Sequence, residues 1–219
     1  MTKFEYEFDE RIIAILINPY LSKDDFVINC DLIKKYNIRN ISTTLNYLIY
    51  LRKSLENNHV KINTFISYPL ADIPNIVIDQ LIDYAKDKGA DGIEYLPKFY
   101  YLSENEDEKF ANDIERISKR ELPLTLIFNK NRLKEETFIK AINISLELGI
   151  KSFQFGDGFG LNLKKDDLQT IKKLLTDQSL IKVVGKVRGL ANTIELLDSG
   201  ADYVGTSYFY DIFQEIKLQ

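Results

Sequence analysis

Three stretches of the chain repeat one joint almost residue for residue: Lys88-Gly89-Ala90-Asp91-Gly92-Ile93-Glu94, Leu148-Gly149-Ile150-Lys151-Ser152-Phe153-Gln154 and Ser199-Gly200-Ala201-Asp202-Tyr203-Val204-Gly205. Each closes an amphipathic segment on a glycine, the residue suited to the left-handed position just past a helix, and then opens a short apolar run. A helix that stops on glycine and feeds a buried strand is half of a β/α unit. The glycines are 60 residues (89 to 149) and 51 residues (149 to 200) apart, so one unmarked unit between each pair gives a repeat near the ~30 residues of a βαβ unit.

The same alternation can be followed along the chain. Strands are expected at Arg11 to Leu16, Ile38 to Thr44, Lys61 to Ile66, Gly92 to Leu96, Thr125 to Phe128, from Ser152, at Ile181 to Val184 and at Tyr203 to Gly205. Ser22-Lys23-Asp24-Asp25 reads as a helix entry, with helix expected through Lys35. Further helices are expected at Leu45 to Leu55, Pro74 to Lys88, Asp107 to Lys119, Glu135 to Leu148, Lys165 to Leu175, Ala191 to Leu197 and after Gly205. About eight strands in 219 residues favour a closed (β/α)8 TIM barrel, one domain over residues 1–219. An open doubly wound sheet, whose elements alternate identically, is the alternative.

Composition removes several classes of function. A net charge of -4 and a pI near 5.2 give no general basic surface with which to displace counterions, so nucleic acid is not an expected partner. The longest wholly apolar run, Ile12 to Ile17, is far too short to span a bilayer, and the charged start Met1 to Glu7 lacks the pattern of a secretory signal. A cytoplasmic protein is expected. Cys30 is the single cysteine and reads as a small buried hydrophobe; His59, the single histidine, sits in a polar turn. A histidine-rich metal site and a Ser-His-Asp triad are therefore not expected, and no cofactor is implied.

In a barrel, the C-terminal ends of the strands carry the chemistry. Asn63, Thr64, Glu94, Asn129, Gln154 and Lys182 are the polar residues expected there. Lys182 lies in the apolar run Ile181 to Val184, where desolvation favours the neutral amine and makes it a candidate nucleophile or base; the plainer reading is that it snorkels or pairs with Glu94. Glu94 could move protons or simply neutralise that lysine. Lys98 and Lys130 read as a solvated rim. Three glycine-bearing loops follow buried strands, at Gly156, Gly158 and Gly160, at Gly185-Lys186-Val187-Arg188-Gly189, and at Gly205-Thr206-Ser207. Loops after the last two strands of a barrel, with free backbone N–H groups and nearby cations, suit a phosphate. The expected anion site is Gly158, Gly185, Lys186, Arg188, Gly205, Thr206 and Ser207, and the expected partner is a small phosphorylated molecule.

Over nearly its full length the chain resembles the deoxyribose-phosphate aldolase family. The resemblance is carried by Cys30 to Tyr36, Thr64 to Leu70, Lys88 to Glu94, Gly156 to Gly160, Lys182 to Arg188 and Ser199 to Ser207. It implies a (β/α)8 aldolase that needs no metal, forms an imine through a lysine of the sixth strand and joins or cleaves acetaldehyde and glyceraldehyde 3-phosphate. The departures fall on that chemistry. The imine position holds Gln154, whose amide cannot condense with a carbonyl. Glu94 stands for the proton-transferring aspartate, Lys182 for the second lysine, and Ile13-Ala14-Ile15 replaces an Asp-His-Thr. Lys186 replaces one of two paired phosphate-binding glycines. Two readings follow: a carbon-carbon lyase with Lys182 taking over the imine, or a barrel that keeps an anion site but serves in binding or regulation. The sequence leaves a homodimer open.

Overall fold

The structure, a computed structural model, describes residues 6–158 and 163–218. The short helix α1 (Phe8–Arg11) leads into β1 (Ile12–Leu16), followed by α2 (Lys23–Tyr36), β2 (Asn40–Thr43), α3 (Leu45–Ser54), β3 (Lys61–Ile66) and α4 (Asn75–Asp87). Then come β4 (Gly92–Tyr95), α5 (Tyr100–Ser103), α6 (Asp107–Ser118), β5 (Leu124–Phe128), a 3₁₀ turn (Lys130–Arg132) and α7 (Glu135–Glu147). The chain ends with β6 (Ser152–Phe155), α8 (Lys165–Leu174), β7 (Leu180–Val184), α9 (Leu190–Asp198), β8 (Tyr203–Thr206) and α10 (Phe209–Lys217). All eight strands are parallel neighbours in chain order, and β8 pairs with β1 through Ile12↔Val204, Ile13↔Gly205 and Ala14↔Thr206. The closed barrel is the architecture expected from the alternation, and the open sheet is excluded. Among the described residues no helix is long and apolar enough to cross a membrane. Gly160, the Met1 to Glu5 start and Gln219 lie outside the described residues.

The repeated joints show why their residues recur. Gly89, Gly149 and Gly200 end their helices at φ 82°, 77° and 106°, a backbone that side chains rarely adopt. Two residues after Gly89 and Gly200, the Asp91 and Asp202 carboxylates each accept an N–H from the neighbouring strand, from Ile62 and Ile181 respectively, both at 2.7 Å. The aspartate thus fixes where each strand pair begins, which sets the register that decides the face of every later side chain. Ser22 caps α2 by accepting the Asp25 N–H at 3.1 Å, while the Asp25 carboxylate accepts the Ser22 N–H at 3.3 Å.

Side chains alternate along each strand between the helix layer and the barrel interior. Outward residues such as Ile93, Tyr95, Phe128, Phe153 and Phe155 join the core beneath the helices. Tyr95 donates to Asp113 at 2.5 Å, and Arg116 bridges Asp113 and Asp79, tying β4 to α6 and α4. Inside the barrel, Ile15, Phe65, Ile127 and Val184, one from each odd strand, pack together as an apolar layer near the strand C-terminal ends.

Candidate active site

Strand parity points Ser42 of β2, Glu94 of β4 and Lys182 of β7 inward, and there they meet. Lys182 Nζ lies 2.7 Å from Glu94 Oε1 and 2.8 Å from Ser42 Oγ, and the Ser42 hydroxyl donates to the same carboxylate oxygen at 2.6 Å. Glu94 is wholly buried and Lys182 is 4% exposed. The second carboxylate oxygen, Glu94 Oε2, has no partner among the described residues. Burial pushes the Lys182 ammonium below its ordinary pKa, and the Glu94 charge offsets only part of that shift. Lys182 sits two residues before Val184 on the same strand, with its nitrogen 5.7 Å from the centre of the Phe65 ring. The apolar layer therefore lies between this lysine and the strand ends. Of the two readings of Lys182, geometry realises the pairing with Glu94.

Gln154 is the direct register partner of Lys182 on the adjacent strand. Its amide nitrogen donates to the Gly156 carbonyl at 3.0 Å, and its oxygen is buried without a partner among the described residues. Lys182, Glu94 and Gln154, all expected at the C-terminal ends of their strands, come from β7, β4 and β6. They do not share one cavity, however, because Gln154 borders the opening above, whereas Lys182 and Glu94 are not part of its wall.

That opening is a cavity of about 310 Å³ at the C-terminal end of the barrel, at the small end of the range for ligand sites. Ile15, Phe65 and Val184 give it an apolar side. The seven residues expected to form the anion site, Gly158, Gly185, Lys186, Arg188, Gly205, Thr206 and Ser207, all line it. Gly205 keeps it open: a Cβ there would stand 2.8 Å from Val184 Cγ2, 2.9 Å from Ile15 Cδ1 and 3.0 Å from Lys182 Cε. Lys186 and Arg188 are exposed and, among the described residues, have no acidic partner; the Arg188 guanidinium stacks over the Tyr208 ring at 5.0 Å. The Thr206 hydroxyl is already engaged, donating to Val187 O at 2.6 Å and accepting the Tyr208 N–H at 2.9 Å. It braces the loop.

Three contributors escaped the sequence reading. Ser42 completes the buried cluster, and the alternation of Ile41-Ser42-Thr43 was its available signal. Tyr68, on the β3–α4 loop, donates to the Asp157 carbonyl at 2.7 Å and so ties two loops across the cavity; burial and the nearby Asp157 carboxylate push its phenol up to about 12. Glu215 of α10 accepts the Leu190 N–H at 2.9 Å, supplying the start of α9 with an internal anion. The rim lysines also differ from expectation. Lys98 is 4% exposed and donates to Asn75, while Lys130 is half-buried in an ion pair of 2.5 Å with Asp167. Long side chains cover their stems and leave only the head to be matched, so neither is a freely solvated charge. Cys30 is buried, which raises its thiol pKa, and His59 is exposed.

Among the described residues no group of three or more His, Cys, Asp or Glu side chains is placed to hold a metal ion. A wider groove of about 990 Å³ runs outside the barrel between α6 and α7, bordered by Asp107, Glu135 and Glu147. It touches no strand end, so the smaller cavity is the candidate site.

No family model matches the chain. Curated relatives named deoxyribose-phosphate aldolase do. One from Mycoplasma capricolum is 23% identical over 208 residues, covering 93% of both chains, and one from Thermococcus kodakarensis is 26% identical over 199 residues, covering 87% and 88%. Among solved structures, one described as a putative deoxyribose-phosphate aldolase from Coccidioides immitis superposes with a TM-score of 0.88 at 17% identity, covering 97% of this chain and 86% of that one. Sequence relatives that span almost the whole chain, together with a shared barrel, make this protein similar in both sequence and fold to the deoxyribose-phosphate aldolases.

Proposed function

We propose that this barrel binds a small phosphorylated sugar in the cavity at its C-terminal end, and that carbon–carbon lyase activity of the aldolase type is lost or strongly weakened. The observation that carries this reading is the state of the one lysine that could replace the imine nucleophile. Lys182 is held by Glu94 and Ser42 beneath the apolar layer and outside the cavity wall. An amine needs a free electron pair and a path to the carbonyl carbon. A charged hydrogen bond to Glu94 engages the first, and Phe65 with Val184 blocks the second. Gln154, which does border the cavity, can donate and accept hydrogen bonds but cannot form an imine. Lys186 and Arg188, which have no acidic partner among the described residues, supply positive charge where a phosphate would sit, with Gly185 and Gly205 allowing close backbone approach.

The test is borohydride reduction in the presence of deoxyribose 5-phosphate, followed by mass spectrometry, alongside calorimetry and an aldehyde-release assay. Binding without adduct or aldehyde is the expected result. One observation favours an active lyase instead: burial lowers the Lys182 pKa, which raises the neutral fraction of its amine. A substrate adduct on Lys182, with turnover abolished in Lys182→Ala, would establish that alternative.

A further inference from the structure

We propose that Gln154 decides which phosphorylated ligand the cavity retains: its amide oxygen accepts a hydrogen bond from a hydroxyl group, so the site selects a short phosphorylated polyol over phosphate esters that present apolar carbon or a carbonyl at that depth. This rests on the reading of the rim as an anion site.

The orientation of the amide is settled by its neighbour. The Gly156 carbonyl can only accept, so the Gln154 nitrogen must face it, and the bond of 3.0 Å leaves the oxygen on the other side. That oxygen is buried on a residue only 1% exposed and finds no donor among the described residues. A buried acceptor without a donor carries a desolvation cost that a ligand donor removes. Gln154 borders the cavity, as do Lys186 and Arg188, two exposed cations without an acidic partner among the described residues. Two cations and the residue that carries the bare acceptor thus line one cavity, which matches a molecule with a phosphate and a hydroxyl. Glu94 Oε2, another buried acceptor without a partner among the described residues, lies outside the cavity wall and cannot play this part. A free aldehyde or ketone oxygen offers only lone pairs, so facing the Gln154 oxygen it gains no bond and keeps the desolvation cost. An alcohol, a hydrated aldehyde or a cyclic hemiacetal offers the missing proton.

Calorimetry with glycerol 3-phosphate, n-propyl phosphate and inorganic phosphate on the full chain tests this, because the two esters share a three-carbon frame and differ in their hydroxyls. The wild type is expected to bind glycerol 3-phosphate about tenfold or more tightly than propyl phosphate. In Gln154→Met, which removes donor and acceptor, and in Gln154→Lys, which keeps a donor for Gly156 but removes the acceptor, that ratio is expected to fall toward one. A wild-type ratio near one, or a ratio unchanged in both variants, overturns the role of Gln154 while leaving the anion site standing. If none of the three probes binds, the anion site itself fails and this inference fails with it.

Discussion

The barrel holds two cationic regions a short distance apart along its axis, and they are built on opposite principles. Below the apolar layer, Lys182 is surrounded by its own carboxylate and hydroxyl, so its charge is answered from within. Above it, Lys186 and Arg188 are exposed and have no acidic partner among the described residues. A buried charge must be matched before the chain can fold, because leaving it bare costs several kcal/mol. An exposed charge need not be matched, and it keeps its capacity for a partner that arrives later. On the function proposed above, the lower region is architecture and the upper one is recognition.

The largest expected effect comes from breaking the lower cluster. Lys182→Met removes the partner of a wholly buried carboxylate and should lower unfolding free energy by about 3–5 kcal/mol in denaturant titrations at neutral pH. Adding Glu94→Gln should restore much of that loss, since an amide tolerates burial better than an unpaired charge. A single substitution without measurable cost would mean that the pair is solvated and that the layer above is no seal. The upper region should behave inversely. Lys186→Ala with Arg188→Ala should change stability by less than about 0.5 kcal/mol, as surface substitutions do. The same double variant should weaken binding of a sugar phosphate by about tenfold or more by calorimetry, as expected for losing charge-assisted bonds; undiminished affinity would place the anion elsewhere.

Two smaller effects sharpen the boundary between the regions. Glu215→Ala strips the internal anion from the start of α9 and should cost about 1 kcal/mol of stability. The smallest effect is seen at high pH. The Tyr68 phenol, ordinarily near 10, is raised to about 12, so the folded chain holds its proton more tightly than the unfolded one. Its stabilising contribution is complete below pH 10 and is lost as pH rises through about 12. Stability curves of Tyr68→Phe and wild type should therefore converge across that window, and parallel curves would disconnect the phenol from the wall.

Much of this was written locally in the chain. Helix, glycine and strand follow one another in sequence, so the joints could be read and eight strands counted. Parity then sent Glu94 and Lys182 to one interior. What could not be read depends on contacts between distant segments. Lys98 looks like a surface lysine until its own loop between β4 and α5 packs down, with Phe99 against Phe110 and Phe128 and the Lys98 ammonium on Asn75 of α4. Ser42 is an unremarkable strand serine until Glu94, 52 residues on, arrives beside it. Glu215 meets Leu190 only because α10 and α9 lie side by side. Whether a cation is sealed or available is a property of the layer above it, which no single strand encodes.

The pairing of the last strand with the first has a kinetic meaning. The cavity draws on Ile15 near one end of the barrel sequence and on Tyr208 near the other, so no wall is complete until the two ends have met. Bringing such distant segments together is the slow, entropically costly part of forming a high-contact-order fold, and it comes before any reward from the contacts made. A fragment missing either end would have strands and helices but no place for a ligand. Binding of the proposed phosphate ester would thus report circular closure, and the bound ester would act as a clasp that slows the ring's opening.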